Sequence, residues 1–291
     1  MNKINYIELG ATLFIPAVHK DLESVVCDNK YPELKSVLID TEDGIEEESL
    51  NSALESIQRV LETYEKGKLS VFIRPRNTRV LTRILKFENI KNIDGFILPK
   101  FSLKNAQEYF DLLQSTNFLL MPSIEGEELF NQNSLYKLRD ILLKNAENIL
   151  LLRFGLEDIL RQLTIKRSSK ESVFDLSALS YVLGNFIATF KSAGFAISGG
   201  VYPSFTDDDG FIKDVQRDLK EGLFSKTIIH PRQIKLSNDL YRVTKDELRE
   251  ALEISRNDEA VFNQNDKMAE VVTMRPYAHE IILRAEVYGV V

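Results

Sequence analysis

The chain has 291 residues, enough for one large domain or two small ones, and its 44% hydrophobic content is that of a globular protein with a substantial core. A formal charge of −7, with acids and bases interspersed, argues against a nucleic-acid partner, and the single cysteine, Cys27, excludes an intramolecular disulfide and a thiolate metal cluster. The first residues lack the apolar core of a signal peptide and no apolar stretch is long enough to span a bilayer, so the expectation is a cytoplasmic protein without a membrane partner.

Short apolar runs alternate with helical stretches. A strand at 10–18 precedes a short helix near 20–30, and a second at 36–41 precedes the amphipathic stretch 47–65. The strand 70–76 is followed by a helix at 78–87, and 95–100 by a helix at 103–115. The fifth strand, 118–124, leads to the helix 127–145. The sixth, 148–154, leads to a helical region that runs to about Lys191 and is broken by the polar stretch 166–170. A seventh strand at 195–201, a helix at 208–221 and an eighth strand at 226–230 complete the series. Apolar runs of this length between helices read as buried parallel strands. Eight such units predict a (β/α)₈ barrel over 1–240. Apolar residues at helical spacing in 244–256 and 266–287 predict a helical extension over 241–291, which covers that face on its own barrel or on a neighbouring subunit of a homo-oligomer.

Polar and charged residues gather where the apolar runs end. These ends are Asp40-Thr41-Glu42-Asp43-Gly44, Arg74-Pro75-Arg76-Asn77, Pro99-Lys100, Ser123-Ile124-Glu125-Gly126, Arg153-Phe154-Gly155 with Glu157 and Asp158 beyond, and His230-Pro231. In a closed parallel barrel the carboxyl ends of all strands open on one face, where active sites sit. Residues far apart in sequence are thereby expected in one pocket.

The order of these motifs is informative. LeuPheIlePro at 13–16, AspThrGluAspGly at 40–44, IleArgProArgAsn at 73–77, LeuProLys at 98–100, ProSerIleGlu at 122–125, ArgPheGlyLeuGluAspIle at 153–159 and IleHisProArgGlnIle at 229–234 follow one another. Together they resemble the citrate-lyase β-subunit-like branch of the HpcH/HpaI aldolase superfamily. The paired arginines of the third motif are similar to the divergent C–C bond lyase group often encoded beside tellurium-resistance genes. The resemblance implies a barrel that cleaves or forms a C–C bond next to a carboxylate with a divalent metal, usually Mg²⁺, with Mn²⁺ a possible substitute. It implies Glu125 and Asp158 as metal ligands, Arg74 as the grip on the substrate carboxylate, and Glu42 and Asp43 as the acidic pair after the second strand.

The residues read on their own agree. Mg²⁺ takes hard oxygen ligands, keeps several waters and is usually held by one or two protein carboxylates plus substrate oxygens, a set that Glu125 and Asp158 can begin. A fixed cation there favours the enolate that forms as a C–C bond breaks. Arg74 and Arg76, two apart on a strand, leave the same face, and a guanidinium fork orients a carboxylate. Glu42 and Asp43 are expected to order metal-bound waters, though an acidic pair also suits the start of the next helix. Arg76 either touches substrate or pairs with Glu42 or Asp43. Lys100 binds substrate or, as an alternative, forms a Schiff base. His230 is expected to hold the last loop through a backbone hydrogen bond, and His19 to lie exposed. The blander account of all these charges is a salt-bridged rim.

Two departures from the family pattern concern the substrate. SerGlyGlyVal at 198–201 stands where AspGlyVal is usual, and Ala17-Val18-His19 where acyl-CoA-using members resemble ProGlyAsnArgPro. Both favour a free organic acid, or an acid on another carrier, over an acyl-CoA. The expected activity is a Mg²⁺-dependent lyase or aldolase acting on a β-hydroxy or 2-oxo acid. The alternatives are thioester hydrolysis or phosphoenolpyruvate-type chemistry at the same site, and a non-catalytic ligand-binding or scaffold barrel.

Overall fold

Valine, leucine, isoleucine and phenylalanine fill the short runs, and the strands they form are buried on both faces. The computed structural model describes residues 4–264 and 266–291. The strand–helix series opens with β1 (Ala11–Pro16), α1 (Leu22–Val26), β2 (Ser36–Asp40), α2 (Leu50–Thr63), β3 (Ser70–Arg74) and α3 (Thr78–Ile84). It continues with β4 (Gly95–Leu98), α4 (Ala106–Leu113), β5 (Leu119–Ile124), α5 (Gln132–Lys144) and β6 (Leu152–Phe154). Then come α6 (Leu156–Gln162), α7 (Ser177–Lys191), β7 (Ile197–Ser198), α8 (Asp208–Lys220) and β8 (Lys226–Ile228).

The eight strands pair in the order β7-β6-β5-β4-β3-β2-β1-β8, in parallel. A parallel bridge between Gly199 and Lys226 joins the two ends. The result is the expected (β/α)₈ barrel. Several strands stop short of the expected ends, and the helical region after β6 is two helices with a polar loop between them.

Alternate residues of each strand face inward. Leu9, Leu38, Phe72, Ile97, Leu119, Met121 and Leu151 meet in one cluster, with Ile4, Tyr6 and Phe14 packed against it. Each such fully buried side chain contributes about 1.5–3 kcal/mol relative to exposure. Below it a 3₁₀ turn, Tyr6–Leu9, is closed by a capping box between Asn5 and Glu8. The next inward position on β2 and β3 is charged, Asp40 and Arg74, so the apolar cluster forms a floor beneath a polar rim.

Two compact units make up the chain, Met1–Ile234 and Lys235–Val291. After β8 come α9 (Arg232–Tyr241), α10 (Lys245–Arg256), β9 (Val261–Gln264), β10 (Lys267–Glu270) and α11 (Val271–Tyr288). In the second unit α10 and α11 share a core of Val243, Ala251, Ile254, Ala278 and Ile281. The expectation of a helix beginning at 266 needs correction, because β9 and β10 form an antiparallel hairpin there. Asp266, at φ +61°, provides the left-handed turn residue that a tight hairpin needs. Among the described residues no helix is long and apolar enough to cross a membrane.

Candidate active site

Register explains the first pair. Asp40 and Arg74 are the last residues of β2 and β3 and are direct cross-strand partners, so their side chains leave the same face side by side. Arg74 Nε donates to Asp40 Oδ1 at 2.7 Å and Nη2 to Oδ2 at 2.9 Å. Its Nη1 lies 2.9 Å from Glu42 Oε2. That contact is an ion pair without hydrogen-bond alignment, and Glu42 Oε2 is buried with no hydrogen-bond partner. Burial works against the Arg74 charge, but Asp40 and Glu42 outweigh it and raise the pKa.

Lys100 ties the next strand end to the same group. Its Nζ reaches Glu42 Oε1 at 2.5 Å and Asp43 Oδ1 at 3.1 Å. Burial lowers the Lys100 pKa, and the two acids more than reverse this, leaving the amine firmly protonated. A protonated amine held by two carboxylates is a poor nucleophile, which disfavours the Schiff-base alternative. Burial raises the Glu42 pKa although Arg74 and Lys100 pull it down. For Asp43 burial is outweighed by Lys100, and the pKa falls.

Glu125 is the most elaborately held acid. Lys100 adopts φ +48°, a conformation that side chains rarely take, and its backbone N–H donates to Glu125 Oε1 at 2.7 Å. Ser123 Oγ donates to Oε2 at 3.1 Å, and Gln162 Nε2 to the Glu125 carbonyl at 2.5 Å. Gly155 is required beside it, since a Cβ there would lie 2.0 Å from Oε2. Burial, then the charges of Glu42 and Asp158, push the Glu125 pKa up to about 7, against the two hydrogen bonds that lower it. Asp158, in the first turn of α6, pairs with Arg161 at 2.5 Å.

Glu42, Asp43, Arg74, Lys100, Glu125 and Asp158 are therefore gathered over the carboxyl ends of β2 to β6. Arg76 does something else. It lies past the end of β3, and its guanidinium donates to the backbone carbonyls of Thr41, Glu42 and Ile45. It holds the β2 loop and makes no ion pair with Glu42 or Asp43. His230 Nδ1 accepts from the Arg232 backbone N–H at 3.2 Å while its ring stacks on Phe205, and His19 is exposed. Sequence reasoning gave no role to Asp40, whose place opposite Arg74 is readable once the register of β2 on β3 is known. Arg153 opens one of the sequence motifs, where nothing local marks it as more than a strand residue.

Among the described residues no three His, Cys, Asp or Glu side chains converge to hold a metal unaided. A buried Glu125 repelled by Glu42 and by the part-buried Asp158, an orphaned Glu42 oxygen nearby and only oxygen ligands do fit a hard divalent cation that completes its shell with water and substrate.

A parallel barrel with acids and arginines converging on its carboxyl-end rim defines an enzyme of the barrel class. The chain belongs to the C–C bond lyase family of the TIM-barrel fold, whose profile matches residues 3–290. It is 23% identical over 267 residues to the citrate lyase β subunit of Leuconostoc mesenteroides, covering 86% of this chain and 83% of that one. It is 21% identical over 243 residues to a (3S)-malyl-CoA thioesterase of Cereibacter sphaeroides, covering 82% and 79%. Among solved structures, protein CitE of Mycobacterium tuberculosis in complex with magnesium, acetoacetate and coenzyme A superposes with a TM-score of 0.69 at 18% identity, over 97% of this chain and 99% of that one.

Proposed function

We propose that the protein is a divalent-metal-dependent C–C bond lyase acting on a small β-hydroxy or 2-oxo acid. The observation that carries this is the setting of Glu125: a buried acid, pre-oriented by Lys100 and Ser123, that has no ion-pair partner among the described residues and is repelled by Glu42 and Asp158. Glu125 and Asp158 would hold the cation, Mg²⁺ or Mn²⁺, which supplies positive charge for the oxygen on which negative charge develops as the C–C bond breaks.

The chain's own residues prepare the rest. Asp40 fixes the Arg74 guanidinium through Nε and Nη2, leaving N–H groups on both Nη atoms for a substrate carboxylate. Binding there fixes the carboxylate end of the substrate, so that the bond to be cleaved is presented toward Glu125 and Asp158. Lys100 neutralises Glu42 and positions Glu125 at once, which keeps the rim acids from repelling an anionic substrate. Cleavage of a β-hydroxy acid needs the hydroxyl proton removed, the C–C electrons received as an enolate, and that enolate protonated.

Thioester hydrolysis is the second reading, supported by the malyl-CoA thioesterase relative; a freed thiol instead of a split carbon skeleton would identify it. The test of the metal site is thermal unfolding with and without Mg²⁺ or Mn²⁺. Millimolar metal is expected to raise the Tm of the parent, and Glu125→Gln and Asp158→Asn are expected to abolish that rise. An undiminished rise in both variants discards the site.

A further inference from the structure

The barrel interior holds a second guanidinium whose situation is the opposite of that of Arg74. Arg153, in the middle of β6, is 4% exposed. Its Nη1 donates to Thr227 Oγ1 at 2.9 Å and to Ser198 Oγ at 3.5 Å, its Nη2 to Thr12 Oγ1 at 3.2 Å, and its Nε meets Met121 Sδ at 3.4 Å. Every one of these acceptors is neutral. The other buried cations of the barrel strands are matched by acids, Arg74 at the rim by Asp40 and Glu42 and Lys226 on the outer side of β8 by Asp214 and Asp218. No described carboxylate does this for Arg153. Burial first, and then the like charge of Arg74, draw its pKa down to about 9.

A guanidinium removed from water among neutral acceptors is a net cost to the fold, and an anion brought by a ligand removes that cost. The surroundings suit an anion. Thr227, which is part-buried, accepts from Arg153 and keeps its own hydroxyl proton to donate, whereas the Thr12 hydroxyl is already bonded to Ser36. The location suits a substrate already held at the rim. The Phe14 ring has Arg74 at 5.3 Å from its centroid and Arg153 at 5.5 Å, so one part-buried aromatic wall separates the two guanidiniums.

We propose that Arg153, with the Thr227 hydroxyl beside it, receives a second anionic group of the substrate. The enzyme then acts on a free dianionic acid, and not on one whose second carboxyl is masked as a thioester. This rests on the reading of the rim as the site that grips the first carboxylate. It gives the sequence motif beginning at Arg153 a role in specificity, separate from the metal-binding role of Asp158 five residues on.

The test compares dianions with monoanions by calorimetry on the full chain with Mg²⁺ present, using oxaloacetate against pyruvate and succinate against its monomethyl ester. The parent is expected to bind each dianion at least about tenfold more tightly than its monoanion. Arg153→Gln is expected to bring both ratios close to one by losing dianion affinity. If Arg153→Gln does not fold, Arg153→Lys serves instead: the charge stays, the fork is lost, and the ratios fall partway. Ratios unchanged in the folded variants, equal affinities in the parent, or binding of none of the four anions each overturn the proposal. Failure of the rim reading shows separately, as pyruvate affinity that Arg74→Ala leaves intact.

Discussion

Two groups of buried charges sit in the same barrel, and one is closed while the other is open. On the outer side of β8, Lys226 Nζ meets Asp214 Oδ2 at 2.5 Å, Asp218 Oδ2 at 2.6 Å and the Gly200 carbonyl at 2.8 Å. Asp214 and Asp218 stand one turn apart on α8, and Ser172 donates to the other Asp214 oxygen. This triad is shut against solvent and binds helix to strand. At the rim, Arg74, Glu42, Asp43 and Lys100 also pair, but Lys100 and Asp43 keep about half their side chains in water. Among the described residues no ion pair is made to Glu125, and Asp158 pairs with the exposed Arg161. Charge that is matched and shut from water supports the fold, whereas charge that stays open to water or lacks an ion-pair partner is where a ligand belongs.

The comparison is most severely tested at Lys226. Lys226→Met strands two carboxylates in an enclosed space, and the expected loss is about 3–5 kcal/mol, read as a lower urea midpoint. A loss under about 1 kcal/mol would show that the triad contributes nothing net.

A smaller effect follows from the imbalance within the triad, two acids to one lysine. Burial, against the pull of Lys226, pushes the Asp218 pKa up to about 7 from an ordinary 3.8. A folded-state pKa above the unfolded one means that the folded protein holds the proton longer. The stability this brings is complete below the unfolded value and is lost as pH rises through the folded one. Between about pH 5 and pH 7 the parent should lose on the order of 2 kcal/mol from this group. Asp218→Asn should flatten that part of the profile, and parallel profiles for parent and variant would refute the assignment.

The smallest effect is expected at Arg76, which separates the loop from the site. Arg76→Ala removes hydrogen bonds to three carbonyls and should cost about 1 kcal/mol of stability. Any loss of activity should appear in KM more than in kcat. A collapse of kcat would place Arg76 in the chemistry itself.

Much of this was legible in the primary sequence because a parallel strand buried on both faces is nearly continuous in apolar residues. That signal also marks where each strand ends, so Glu42, Asp43, Arg74, Lys100, Glu125 and Asp158 could be placed on one rim from the sequence alone. The role of His230 followed from its seat in IleHisPro. The hairpin at 261–270 was missed because the apolar spacing of that segment suits a helix nearly as well, and only the pairing of its two short strands decides between them. Arg76 was misplaced by two residues of strand: the assumption that β3 continued to 76 put it beside Arg74, whereas the chain had already turned.

The order of apolar and polar residues by itself determined the barrel and the membership of its rim, because burial of eight apolar runs admits few arrangements and each run ends at a definite residue. The tertiary structure decided who pairs with whom. Asp40 faces Arg74 through strand register, Gly155 makes room for Glu125, and Arg153 meets Thr12 across 141 positions of chain. Those are distances through space between residues remote in sequence. They set whether a charge is cancelled or left for a ligand, and no local pattern encodes them.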